Sequence, residues 1–292
     1  MRFRAHETFF IRKGWLYKGM KNVVNNTTVF MGNKGNPMDI LGIGANMVKS
    51  LRYWLQAVKL TTEPPQGKKY QTLTPFGEIV YKNDKYIEEI GTLWFLHYNL
   101  ATNESDATAW YYFFNEFNRS EFTREDYVKQ LNTYIMLKGS EVSERSLDDD
   151  FNCIISTYVP RIKSNPGKVH PESNIDCPFG ELSLVDIVNK KTKTYKKSVP
   201  KLDSIDPLVI LAAIVDQAAG NTQIKISSIQ NDKCNAGKVF NLDIITLTSL
   251  LNKLEHMGYI KVIRTAGLDY IDIIREIDFL GCVREYYARI NK

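Results

Sequence analysis

Residues 37–74, PMDILGIGANMVKSLRYWLQAVKLTTEPPQGKKYQTLT, hold the pattern that decides the fold. Pro37–Leu41 reads as a short helix and Gly42-Ile43-Gly44 as a breaker. A second helix is expected from Ala45 to Leu60, because Met47, Leu51, Trp54, Leu55 and Val58 recur at the spacing of one buried helical face. Asn46, Lys49, Arg52, Tyr53 and Gln56 fall on the other side, either as a solvated stripe or as a surface for an anionic partner. Pro64-Pro65-Gln66-Gly67 is a turn, and Lys68–Thr74 alternates weakly as a basic strand. Helix, tight turn, helix and basic strand is the order of a winged helix-turn-helix, with the second helix as reader.

The same order recurs near the C-terminus. Asp206-Pro207 is an N-cap followed by proline at the first helical position, and the apolar run Leu208–Ala219 follows. A second amphipathic helix over 243–257 places Leu247, Leu250, Leu251 and Leu254 on one side. Tyr259–Arg264 and Leu268–Ile274 alternate around Thr265-Ala266-Gly267 as a hairpin. A closing helix spans Glu276–Ile290. Between the two ends, Thr92–Ala101, Ala107–Phe117, Arg124–Lys138 and Glu144–Tyr158 suit helices, with Thr123 as an N-cap. The expected architecture is mainly α with small β-hairpin wings. A winged-helix-like domain over 1–87 leads into a helical middle over 88–165. Long loops or a linker over 166–205 and a second winged-helix-like domain over 206–292 complete it.

Charge is unevenly placed along the 292 residues. The chain is +5 overall, yet residues 1–60 carry ten Lys/Arg against Glu7 and Asp39, a net +8. Residues 100–160 are −6. Such asymmetry points to an anionic partner held at one end. No apolar run reaches the ~20 residues that span a bilayer, and the first residues are basic and aromatic, so no membrane partner is expected. Cys153, Cys177, Cys234 and Cys282 are widely spaced, which argues for packed thiols in a reducing cytoplasm. Cys177-Pro178 reads as a buried thiol at a bend; a sulfur-handling role would need a perturbed thiolate.

Common catalytic signatures are missing. There is no P-loop, no completed GxGxxG, no HExxH, no GxSxG and no Glu-x-Lys nuclease pair, so no nucleotide or organic cofactor is expected. The densest chemistry is Phe3-Arg4-Ala5-His6-Glu7-Thr8-Phe9-Phe10-Ile11-Arg12-Lys13-Gly14-Trp15-Leu16-Tyr17-Lys18-Gly19. An imidazole beside a carboxylate can move protons, and Arg and Lys can clamp a phosphate. For phosphodiester cleavage, His6 would act as base or acid, Glu7 would orient it, and Arg12 and Lys18 would hold the phosphate, with Mg2+ or Mn2+ as a candidate cofactor. The alternative is a hydrogen-bonding His6–Glu7 pair amid core aromatics and phosphate-contacting cations. DNA contacts are expected from Arg4, Lys13, Asn46, Lys49, Arg52, Gln56, Lys68 and Lys69. The Trp94/His97/Tyr98 stripe reads as helix core. Asp148-Asp149-Asp150 reads as a solvated helix start, since consecutive helical residues point apart.

The pattern Phe-x-x-His-Glu-Thr-Phe-x-x-Arg-x-Gly-Trp-Leu-x-Lys-Gly, met from Phe3 to Gly19, resembles the opening of an uncharacterised-domain family encoded with bacterial DNA phosphorothioation and phage-defence genes. Leu41–Trp54, Leu73–Glu78, Gly91–Tyr98, Thr157–Pro160, Asp176–Cys177–Pro178 with Glu181-Leu182, and Gly237–Asp243 match further blocks in order. The better-described branch resembles an SspB-like DNA-nicking component of single-stranded phosphorothioation systems. The resemblance implies a cytoplasmic DNA-binding component that works with other proteins of the modification and defence system and nicks DNA. The alternative is a non-enzymatic DNA-binding adaptor or regulator.

Overall fold

The computed structural model describes residues 1–64, 66–67, 70–160, 177–265 and 268–291. After an irregular arm, α1 (Trp15–Asn25) packs on the helical pair α2 (Pro37–Leu41) and α3 (Ala45–Ala57). Asn36 accepts the Met38 N–H to start α2, and Pro37 fills the first helical position. β1 (Thr61–Thr62) pairs antiparallel with β2 (Thr72–Leu73), a shorter ribbon than the 68–74 strand expected; Lys68 and Lys69 lie outside the described residues. Thr74 then caps α4 (Pro75–Asn83), with Pro75 at its first position.

The middle of the molecule is built on α5 (Ile90–Ala101), in which every residue from Gly91 to Ala101 is buried. A helix with no wet face is a core element. Trp94, His97 and Tyr98 are accordingly packed inside. Around α5 lie α6 (Thr108–Asn115), α7 (Arg124–Leu137) and α8 (Glu144–Tyr158), with β3 (Glu121–Phe122) between α6 and α7. α7 opens with a capping box in which Thr123 and Asp126 satisfy each other's backbone N–H.

Where the sequence reads as linker, residues 177–205 are largely ordered. A 3-10 turn (Pro178–Leu182) leads into β4 (Val185–Asn189) and β5 (Thr194–Lys197), and the sheet order is β3-β5-β4. Charge on β4 and β5 hides the burial of Val185 and the packing of Tyr195 against the core. The C-terminal part runs α9 (Pro207–Ala218), β6 (Gln223–Lys225), α10 (Ile226–Asn231), α11 (Ala236–Val239), α12 (Ile244–His256), β7 (Ile260–Thr265) and β8 (Leu268–Ile273). Its sheet order is β6-β8-β7, so the first strand joins the hairpin through β8. The closing helix α13 (Phe279–Ile290) packs on both α9 and α4. Gly91 allows this closure: its N–H donates to Tyr286 Oη at 3.1 Å, and a Cβ there would lie 2.1 Å from the Tyr286 ring. The molecule is thus mainly α with small antiparallel sheets, and its described segments share one continuous core. No helix among the described residues is long and apolar enough to cross a membrane.

Candidate nucleic-acid interface

The N-terminal arm follows a tight path. Arg4, Glu7 and Thr8 all take left-handed backbone angles, with φ of 54°, 49° and 67°. Such angles disfavour L side chains and persist only where surrounding contacts hold them. Here the contacts centre on His6, which is fully buried. Its Nδ1 accepts the Thr8 N–H at 3.1 Å, which leaves the proton on Nε2 to donate to Asp150 Oδ1 at 2.6 Å. The ring lies against Trp54 and edge-on to Trp110. Asp150 Oδ1 also accepts the Arg4 N–H at 2.9 Å, while the Arg4 guanidinium pairs with Asp149 at 2.7 Å. Burial, with the Asp149 charge beside it, pushes the Asp150 carboxyl above its ordinary range. Further along the arm, the Phe9 carbonyl accepts from Trp54 Nε1 at 2.8 Å and from Ser50 Oγ at 3.3 Å.

This arrangement corrects three sequence expectations. Glu7 does not orient His6: it turns outward to Lys49 at 3.9 Å, and Asp150, 144 residues away, holds the ring instead. The aspartate run is not one solvated stripe either. Successive helical residues diverge, so Asp148 faces Arg124, Asp149 faces Arg4, and Asp150 enters the core. Tyr53 is also buried rather than on the polar side of α3, because it packs beside His6 and beneath the Arg2 guanidinium.

The anchored arm forms one wall of a cavity of about 650 Å3. Arg2, Phe3 and Glu7 come from the arm, and Lys49, Arg52 and Gln56 come from α3, with Glu63 at the end. Lys49 is 64% exposed, and Asn46 beside it is exposed. Arg52 is more constrained: its Nε and Nη2 reach the two Glu63 oxygens at 2.6 and 2.8 Å. Gln56 and Gln71 donate to the same Glu63 Oε1 at 3.2 and 3.0 Å. This fork fixes the Arg52 guanidinium in a plane, as bidentate pairs do. Gln56 and Glu63 also line a second cavity of about 570 Å3, so the groove continues along α3 to Lys59, Asn99, Asn103, Asp106 and Asp216.

The proposed catalytic residues do not converge. Of His6, Glu7, Arg12 and Lys18, only Glu7 lines the groove. Arg12 lies over the Phe9 and Trp15 rings, and Lys18 donates to the Leu41 carbonyl at 2.9 Å. Lys13 is exposed next to Arg12 and does not line the groove, and Arg4 is occupied by Asp149. Arg2, Glu63 and Asp106 joined the groove without a sequence signal. Arg2 stands outside the Phe3–Gly19 pattern, and Glu63 sits in a stretch that reads only as turn. Among the described residues no group of three or more His, Cys, Asp or Glu is placed to hold a metal ion. The described thiols form no disulfide; burial holds Cys153 well above the usual thiol range, Cys234 at about 11 and Cys282 at about 12. Cys177 is buried at the head of its 3-10 turn.

A mainly helical protein with small sheets and a basic groove beside an anchored N-terminal arm is the class this geometry defines. The sequence profile of DUF4007, described as a protein of unknown function, matches residues 3–287, and the chain belongs to that family. No protein with a curated description matches it. Two solved structures share the fold. One, described as magnesium ion-bound SspB, has a TM-score of 0.84 at 25% identity over 100% of this chain and 89% of that one. The other, an SspB crystal structure, gives 0.83 at 26% identity over 99% and 87%.

Proposed function

We propose that this chain is a DNA-binding component of a phosphorothioation-linked phage-defence system, working with other proteins of that system. The carrying observation is the groove between arm and α3, where Arg2, Lys49 and Arg52 meet in one open cavity beside the exposed Asn46. Arg and Lys contacts to phosphates fix the register of a duplex without reading its sequence. Topology supports the reading too: α2 and α3 follow each other across Gly42–Gly44, and α12 leads into the β7–β8 hairpin, orders compatible with winged helix-turn-helix units. Likeness to the SspB structures supports the link to defence.

A second reading, DNA nicking by this chain, is favoured by the likeness to a structure described as magnesium ion-bound SspB. Its chemistry would draw on the groove carboxylates Glu7, Glu63 and Asp106, since the His6 ring is sealed in the core with both nitrogens bonded. Two of these carboxylates already face arginines, Glu63 to Arg52 and Asp106 to Arg2, and the described residues offer no preformed cage for Mg2+ or Mn2+.

Fluorescence anisotropy with a labelled duplex across a salt series tests the binding. The reading expects steep salt dependence, from counterion release, and a fall of at least about tenfold for the Arg2→Glu, Lys49→Glu double variant. Affinity unchanged by that variant would end the assignment of the groove. Conversion of supercoiled plasmid to open circle, with Mg2+, with Mn2+ and with EDTA, decides between a nicking subunit and a binding adaptor.

A further inference from the structure

A second cluster of cations lies away from the groove, where β5, α10, α11 and the loop after α6 meet. Arg119, Lys197 and Lys238 come from three separate segments and line one open cleft of about 280 Å3. No described carboxylate lines it, whereas the groove pairs its cations with Glu7 and Glu63. Arg119 reaches out to Asp126 at 2.7 Å, and Lys238 donates to Asn118 Oδ1 at 2.7 Å.

Lys197 is the unusual member. Its Nζ donates to the Phe113 and Phe117 carbonyls at 2.5 and 2.6 Å and lies 4.9 Å from the centre of the Phe113 ring. These contacts use two of the three ammonium protons, and none supplies a negative charge. Across the strand pair its partner on β4 is Val185, and the Ser120 carbonyl takes its backbone N–H. An ammonium buried without a counter-charge is costly and tends to give up its proton. Burial, with the like charge of Lys238 second, brings Lys197 down to about 7. The backbone places Lys238 firmly: a Cβ on Gly237 would lie 2.1 Å from the Gln230 carbonyl, so only glycine lets α11 approach α10 this closely. Gly237–Asp243 is also a block singled out by sequence that the groove leaves unused.

We infer that this cleft is a binding site for a phosphate group, gripped by Lys197 from the floor and by Lys238 and Arg119 from the rim. A tetrahedral oxyanion supplies the missing counter-charge and accepts from all three cations. The inference does not rest on the groove binding DNA. The phosphate can belong to a free phosphate or mononucleotide, or to a DNA backbone.

Isothermal titration calorimetry on the full chain tests it, with inorganic phosphate for affinity. Sulfate, which does not titrate near neutrality, serves for proton counting in buffers of different ionisation heat. Saturable binding is expected, with uptake of about half a proton at pH 7 as Lys197 becomes fully charged. Lys238→Ala with Arg119→Ala, both at the rim, should weaken binding by at least about tenfold without lowering the melting temperature. Lys197→Met should remove the proton uptake; where that variant fails to fold, the rim double variant decides. Competition by a short duplex assigns the site to a DNA backbone, and competition by a nucleoside monophosphate alone assigns it to a free ligand. Absence of saturable binding up to ~10 mM phosphate, or equal binding by the rim double variant, overturns the inference.

Discussion

The two ends of the molecule share an element order and differ in how they are tied down and in what they display. At the N-terminal end a buried histidine faces a carboxylate: His6 donates to Asp150 and fastens the arm to α3 and α8. Where α5 meets the C-terminal part, a buried histidine faces neutral groups. His97 lies between Tyr158 Oη and the Val239 carbonyl of α11, both at 2.8 Å, and burial lowers it to about 4. The displayed surfaces differ as well. α3 presents Asn46, Lys49 and Arg52 beside a groove, whereas α12 opens with Ile244 and Ile245, 51% and 76% exposed. The two ends therefore display different chemistries, and the side chains rather than the fold are what lead us to propose the first as the DNA surface.

The sharpest way to break the comparison is to remove one partner of the charged anchor. Asp150→Ala should destabilise the protein by about 3–5 kcal/mol, because a buried polar partner is left unanswered. Urea unfolding measures this, and a loss under about 1 kcal/mol would mean that the arm is held by its aromatics instead. His6→Ala should behave similarly, so its lost DNA activity would track lost structure rather than chemistry.

The second test uses pH. The folded form of His97 stays neutral down to about 4, while an unfolded histidine protonates near 6.5. Between those values the unfolded chain binds more protons, so stability falls as pH drops through that window, by about 3 kcal/mol in all. Asp150, raised in the folded state, works in the opposite sense in the acid range, since there the native protein holds the extra proton. Urea midpoints at several pH values, for the wild type and for His97→Phe, should show a shallower acid slope in the variant.

A smaller effect separates the two display surfaces. Lys49→Glu should weaken duplex binding by about tenfold and reduce the salt slope by about one phosphate contact, with little change in melting temperature. Ile245→Glu on α12 should change DNA affinity by less than about twofold. Equal losses from both would place DNA on both ends. Smallest of all, Arg52→Gln should lower stability by about 1 kcal/mol, since its partner Glu63 keeps Gln56 and Gln71 as donors.

Much of the helical framework was legible because its signals are local. Caps such as Thr123, Asp206 and Asp243 lie within four residues of the N–H groups they satisfy, and apolar periodicity repeats within two turns. α4 carried the same kind of signal in Thr74-Pro75, hidden by assigning Thr74 to a strand. α1 had little to show: it starts after Gly14 without a side-chain cap. The structure of the 177–205 segment escaped because β5, the partner of β4, also pairs with β3, more than seventy residues earlier.

What the sequence determined by itself was the mainly helical class with small β elements, and the concentration of positive charge in the first sixty residues. Only the tertiary structure decided which of those charges share a groove and which histidine is sealed from water. Charge and periodicity are properties of a segment, but burial and pairing belong to contacts between segments. Asp150 meets His6 across 144 residues, and Lys197 reaches the Phe113 and Phe117 carbonyls some eighty residues earlier only once the chain has folded.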